Sequence, residues 1–199
     1  MTSRYGANAA IAAALALFSV ASCGRVVKPP EASPQKSAVL EASSGVEIVH
    51  GCTPSGPERC FDAVDDNCNG IIDEGCGVLT GSVQFVVAWE EPSADVDLFV
   101  RDPNGEVAEV GRTTESGLVR ERDCPGSDNA CHGQNWENVY LPRDTAPTGE
   151  YRATVRLESL GGAVLPLKVN VGARVGGSTF AAVLHMAKAR EEQTLVLRL

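Results

Sequence analysis

The chain has 199 residues, 43% of them hydrophobic, and a formal net charge of -9. That length allows one domain, or one domain with a small addition, and the composition is ordinary for a globular protein. The negative charge argues against nucleic acid as a partner, because contact with phosphates requires a basic surface.

The N-terminus has the pattern of an export signal. Within residues 1–22, the apolar run at 9–20 is too short to span a bilayer. It ends in VASC, which resembles a bacterial lipobox, although Val and Ser replace the usual Leu and Gly or Ala. The resemblance implies acylation of Cys23 with a palmitate-type anchor. Since Gly24 follows in place of Asp, it also implies the outer membrane, at its periplasmic face or the cell surface. Ordinary cleavage just before Cys23 is the alternative.

The number of cysteines agrees with export. The chain has seven cysteines, and using Cys23 for the lipid leaves an even set. An even set in an oxidising compartment predicts three disulfides. The six remaining cysteines are Cys52, Cys60, Cys68, Cys76, Cys124 and Cys131.

Residues 23–46 are rich in Pro, Ser, Ala and Lys and show no strand or helix period. This composition predicts a solvated tether that lifts the folded part off the membrane.

Residues 47–77 form an acidic, cysteine-rich segment. Seven carboxylates accompany one basic residue, Arg59, and four cysteines recur at every eighth position. Such a segment is too small and too polar to fold by burial alone, so disulfides and a metal are expected to hold it.

The centre of this segment fits the register of a calcium loop. With Gly70 at the sharp turn, Asp65, Asn67 and Asn69 fall at positions one, three and five of an EF-hand-type loop. Calcium takes about six to eight oxygens at about 2.3–2.6 Å, and alternate residues around a glycine supply them. Position twelve is a cysteine, so further oxygens must come from nearby carboxylates or water. The predicted metal ligands are Asp62, Asp65, Asn67, Asn69, Ile71 (through its carbonyl), Asp73 and Glu74.

The stretch from Cys60 to Cys76 resembles a cysteine-rich metal-binding motif of secreted proteins from myxobacteria and their relatives, and also dockerin-type and thrombospondin type 3 loops. The resemblance implies calcium, with two Asn where that family often has Asp. Two alternatives remain: a disulfide knot with solvated acids, and a zinc site, which the spacing of eight disfavours. Three disulfide pairings are possible here; we favour Cys60–Cys68 with Cys52–Cys76, and a local Cys124–Cys131 clip.

Residues 78–199 alternate between apolar and polar positions. Val83, Phe85, Val87 and Trp89 share one face, as do Tyr151, Ala153, Val155 and Leu157. Short strands of period two predict a mainly-β fold, an antiparallel β-sandwich or jelly roll. Residues 178–193 could form a helix or a strand, and the alternation at Phe180, Ala182 and Leu184 favours the strand.

Residues 79–171 resemble a β-sandwich domain of secreted bacterial proteins, similar to pre-peptidase C-terminal domains. The matching residues are Trp89, Asp95, Asp97, Leu98, Asp102, Pro103, Gly105, Glu137, Asn138, Gly149 and Tyr151. Asp95 and Asp97 lie on one face of a strand. They either share a second cation with Asp123, Glu137 or Asn138, or are exposed or hydrogen-bonded structurally.

Function is expected to be non-catalytic. The three histidines fit no H-E-x-x-H frame, and no G-x-S-x-G elbow is present. One hypothesis is a calcium-stabilised envelope lipoprotein whose sandwich binds a polysaccharide or protein, with Trp136 in a ligand-gripping loop. A second is a structural spacer on a metal-rigidified stalk, with Trp136 as a core plug. An accessory subunit of a secreted hydrolase is a remote third. An exposed aromatic pair would favour the first, and a smooth charged surface the second.

Overall fold

Alternating apolar residues build two antiparallel sheets in the computed structural model, which describes residues 38–43, 46–50, 52–125 and 131–199. The predicted export signal and the lipid site at Cys23 lie outside these ranges. The strands are β1 (Val39–Ala42), β2 (Glu47–His50), β3 (Val83–Trp89), β4 (Asp95–Arg101), β5 (Val119–Arg122), β6 (Trp136–Leu141), β7 (Glu150–Ser159), β8 (Leu167–Val175), β9 (Ser178–Met186) and β10 (Glu192–Arg198).

One sheet has four strands in the order β1-β10-β7-β4, and the other has six in the order β2-β9-β8-β3-β6-β5. Every named pair is antiparallel. The predicted β-sandwich is confirmed. Within the described residues, no helix is long and apolar enough to cross a membrane.

The main core lies between the two sheets. The predicted inward faces of β3 and β7 are both in it, and the four β7 residues from Tyr151 to Leu157 are fully buried. The predicted strand at 178–186 is also confirmed. Phe180, Ala182 and Leu184 point into the same core, and β9 pairs with β8 along its full length. The helical alternative would have lost this pairing.

The predicted tether is wrong for its last residues. Val39–Ala42 forms β1, which pairs with β10 along the edge of the four-stranded sheet. Leu40 is only 3% exposed and belongs to the core. An edge strand of four residues needs one neighbour and shows too little alternation to stand out in a Pro- and Ser-rich segment.

The cysteine-rich segment lies on the outer face of the six-stranded sheet and does not project as a stalk. Ala63 and Ile72 form a second small core with Val86 and Ala88 of β3 and with Trp136. This cover explains why all seven residues of β3 are buried, on both faces of the sheet. The approach is close at Gly172 of β8, where a Cβ would come 2.4 Å from the Ala63 carbonyl oxygen.

Candidate metal centre

Two interleaved disulfides fix the acidic segment. The bonds are Cys52–Cys68 and Cys60–Cys76, each spanning 16 residues. The pairing that we favoured from the sequence is therefore wrong, whereas the Cys124–Cys131 clip is confirmed. The physical reason is that carboxylates accept hydrogen bonds from backbone N–H groups in other parts of the segment. These bonds hold residues 58–63 beside residues 66–76, so that Cys60 lies next to Cys76 and not next to Cys68.

Asp73, a predicted ligand, is one of these cross-links. Its Oδ1 accepts from the N–H groups of Phe61 (2.7 Å) and Asp62 (3.2 Å), and its Oδ2 accepts from Ala63 N–H (3.2 Å). The side chain is fully buried, and burial raises its pKa to about 6 against the pull of these bonds. Its oxygens serve the backbone of the neighbouring loop.

Asp62, also a predicted ligand, faces Arg59. The Arg59 guanidinium lies 3.3 Å from Asp62 Oδ2 and 3.1 Å from Asp66 Oδ1. Asp66 is 1% exposed and also accepts from the Ser55 hydroxyl; although burial opposes it, these bonds lower its pKa. The segment's single basic side chain thus neutralises this part of the acidic run.

Asp65 organises the turn around Gly70. Its Oδ1 accepts from Asn69 N–H (3.1 Å), and its Oδ2 accepts from Gly70 N–H (3.0 Å) and the Thr179 hydroxyl of β9 (3.0 Å). Gly70 has a φ of +86° and its Cβ position lies 2.7 Å from the Gly177 carbonyl oxygen, so only glycine fits there. The predicted first position of the loop is therefore tied directly to the sheet.

The predicted ligands Asn67 and Asn69 converge with Glu74. Both side-chain amides donate to Glu74 Oε1, while Glu74 Oε2 is buried and has no partner in the described part of the chain. Asn69 Oδ1 also accepts from Ile71 N–H at 2.9 Å. An EF-hand loop has a carboxylate at position twelve, where this chain has a cysteine. Glu74 therefore takes the place of that carboxylate, because both amides meet at its side chain.

Glu58 is the residue that the sequence reasoning missed. It accepts from Asp73 N–H (2.8 Å) and Asp66 N–H (3.2 Å). Burial first, and then the negative charges of Glu74 and Asp65, raise its pKa to about 7. Glu58 precedes the first cysteine of the motif and has no position in the calcium-loop register, so the register could not identify it as a ligand. Only the excess of acidic over basic residues in the segment pointed to it.

These side chains suit a hard cation. Glu74 meets two carboxamides, Glu58 is close enough to feel the charges of Glu74 and Asp65, and calcium prefers oxygen ligands of these kinds. An Asn amide can turn its oxygen or its nitrogen to a neighbour by rotating about one bond. Rotation at Asn67 and Asn69 would face both amide oxygens toward Glu74, and it would release the N–H groups of Asn69 and Ile71 from which those oxygens now accept.

The predicted second cation site contains an arginine. Arg120 Nη2 lies 3.3 Å from Asp97, 3.0 Å from Asp123 and 2.7 Å from Glu137, and the ligating atoms of these three acids lie within 4.8 Å of one another. Asn138 does not join them, because it points to the opposite face of β6 and donates to Glu121.

Glu137 joins the edges of the two sheets at this cluster. It is fully buried, and its carboxylate accepts from Leu98 N–H of β4 (2.7 Å) and from Cys124 N–H (3.0 Å). Burial raises the pKa of Glu137, and Arg120 and the two N–H groups oppose this. Burial and repulsion by Asp97 also raise the pKa of Asp95, to about 6. Structural hydrogen bonding, the alternative to a metal, accounts for Glu137.

The two tryptophans are buried. Trp136 is 5% exposed and stacks on Phe61 of the acidic segment, with ring centroids 5.6 Å apart. The Arg122 guanidinium lies 4.8 Å from the Trp136 ring. Trp89 is also 5% exposed and belongs to the main core. Trp136 is therefore the plug between the acidic segment and the sheet.

Comparison of the chain with protein-family models, with curated proteins and with solved structures found no match in any of the three.

Proposed function

We propose that the protein is an exported, non-catalytic β-sandwich whose acidic segment binds one calcium ion and is rigidified by it. The observation that carries the proposal is the meeting of Asn67, Asn69 and Glu74 at one point, in a segment where Glu58 also feels the charges of Glu74 and Asp65. The three disulfides support an oxidising compartment.

Calcium bound in the acidic segment would also order the part of the six-stranded sheet that the segment covers. Asp65 and Gly70 of the loop are bonded to Thr179 and Arg174 of β9 and β8, so ordering the loop also orders this hairpin. A cation also relieves the repulsion that raises the pKa of Glu58. The role is one of stabilisation, since binding to the folded form alone adds to its stability.

A structural role in the cell envelope is favoured over recognition of a polysaccharide or protein. Both tryptophans are buried, and among the described residues the exposed large hydrophobic side chains are all Val or Leu. The described part of the surface thus lacks the exposed aromatic pair expected of a glycan-binding loop. Anchoring in the outer membrane through acylated Cys23 remains part of the proposal, with the lipobox resemblance as its support.

Calcium titration of the full chain after chelator treatment tests the proposal. We expect saturable binding of one ion, and Glu74→Gln is expected to lower the affinity on the order of tenfold or more because it removes a charged ligand oxygen. Among the described residues the Glu74 carboxylate accepts no bond from a backbone N–H, so the variant keeps the bonds that join the loop's backbone.

Glu90→Gln is the matched control, since it removes the same charge from an exposed side chain outside the loop. Its affinity should equal that of the native chain. Absence of calcium binding, or equal losses in the two variants, would contradict a site at Glu74 and leave a disulfide knot with an acidic coat.

A further inference from the structure

A basic depression lies around Arg174, whose guanidinium also contacts the Gly70 carbonyl of the acidic segment. Its volume is about 440 Å³, and it is formed by the approach to β3, the turn after β6 and the end of β8. The residues that matter are Thr80, Gly81, Ser82, Arg143, Asp144 and Arg174.

Arg174 is held in this depression by neutral groups. Its Nη1 donates to the Thr80 hydroxyl at 3.2 Å and to the Gly81 carbonyl, and its Nε donates to the Gly70 carbonyl. Within the described residues it forms no ion pair, and Asp65 acts on it only at longer range. The guanidinium is therefore fixed in place with its positive charge uncompensated by a direct carboxylate contact.

Arg143 adds a second guanidinium. It packs over Gly117, where a Cβ would come 2.9 Å from Nε, and in the described part of the chain it has no ion pair or side-chain hydrogen bond. Asp144 also lines the depression, and no ion pair joins it to either arginine within the described ranges. Both arginines line the depression without an ion pair among the described residues, in a chain whose net charge is -9.

Ser82 supplies an independent indication of a ligand. The residue is 9% exposed, and its hydroxyl is buried without a hydrogen-bond partner among the described residues. Buried hydroxyls are nearly always paired, so an unpaired one on a residue that lines the same depression as two arginines requires an explanation. An anionic oxygen is the acceptor that matches this hydroxyl and both guanidinium forks.

We propose that this depression binds a single oxyanion group, a carboxylate or a sulfate or phosphate, carried by a small molecule. Arginine is suited to such groups because its planar fork donates two parallel bonds. The site shares no residue with the proposed calcium ligands, and Arg174 links the two through its bond to the Gly70 carbonyl.

The test is a titration of the isotope-labelled full chain, followed by NMR at constant ionic strength. Sulfate, acetate and glucuronate are the probes, and the reporters are the backbone amides of residues 80–82 and the Arg174 side-chain N–H. We expect saturable shifts with at least one probe. Arg143→Gln is expected to weaken that binding about tenfold, because it removes charged hydrogen bonds.

Lys188→Gln is the control, since it removes one positive charge from an exposed residue that does not line the depression. It should bind as the native chain does. Stronger response to sulfate than to the carboxylates would assign a sulfate or phosphate ligand, and the reverse a carboxylate. Shifts that do not saturate, or that are equal in native chain and Arg143→Gln, would overturn the proposal whether or not calcium binds.

Discussion

Arg120→Met is expected to lower the free energy of unfolding by about 3–5 kcal/mol at neutral pH, the range found when one partner of a buried ion pair is removed. Arg120 is 8% exposed and contacts Asp97, Asp123 and fully buried Glu137. Methionine fills much of the volume of the arginine stem, so the loss reports mainly on the charge. Urea unfolding at fixed pH measures it.

The effect of Arg120→Met should grow as pH rises. Burial raises the pKa of Glu137, and removing Arg120 removes the main opposing influence. The folded variant therefore holds a proton on Glu137 that the unfolded chain releases near the ordinary value of 4.5. Because the folded state binds more protons above that pH, its stability falls with rising pH. The native chain also holds this proton up to its Glu137 pKa of about 8, so the two proteins lose stability in parallel below that value and only the variant goes on losing it above. Unfolding at about pH 7 and at about pH 9.5 should show the larger loss at the higher pH.

Arg156→Met provides the comparison for Arg120→Met. Arg156 also pairs with Asp97 but is 33% exposed, so its loss is expected to be about 1 kcal/mol or less. Equal losses for Arg120→Met and Arg156→Met, or a loss independent of pH, would contradict the role given to the buried cluster.

Trp136→Ala is expected to destabilise the fold by about 3–5 kcal/mol and also to weaken calcium binding. The first effect is that of a large core truncation. The second follows because Trp136 stacks on Phe61 and forms the small core beneath the acidic loop with Ala63 and Ile72. Calorimetric titration below the melting transition separates the two effects.

Trp89→Ala is the matched control for Trp136→Ala. Trp89 is equally buried but lies in the main core between the sheets. It should cost similar stability while leaving calcium affinity unchanged in the folded fraction. If both tryptophan variants bind calcium like the native chain, the loop does not depend on its packing against the sheet.

Much of the sandwich was predictable because its strands bury one face. The alternation at β3, β7 and β9 marks the inward residues directly, since period two has no other structural origin. β1 was not predicted because four residues at a sheet edge show little alternation between apolar and polar side chains. The second core was not predicted, for another reason. Val86, Ala88 and Trp136 face outward from the sheet, and the sequence does not show which residues cover them.

The candidate site was predictable in part. The glycine register identified the turn at Gly70 and placed Asp65, Asn67 and Asn69 around it. It assigned Asp73 to the metal, whereas the structure gives that carboxylate to three backbone N–H groups. Alternation along a loop does not distinguish an oxygen facing a cation from one facing the backbone. The disulfide pairing depends on the same contacts. They join residues that are far apart in the sequence, and the spacing of the cysteines does not reveal them.

A crystal of the full chain grown with calcium, measured for anomalous scattering, tests the central claim most directly. The account predicts one anomalous peak about 2.3–2.6 Å from oxygens of Asn67, Asn69 and Glu74, with both amides turned so that their oxygens face the ion. A peak at Asp97, Asp123 and Glu137 instead, or an acidic loop that keeps its amide-to-Glu74 bonds in saturating calcium, would contradict it.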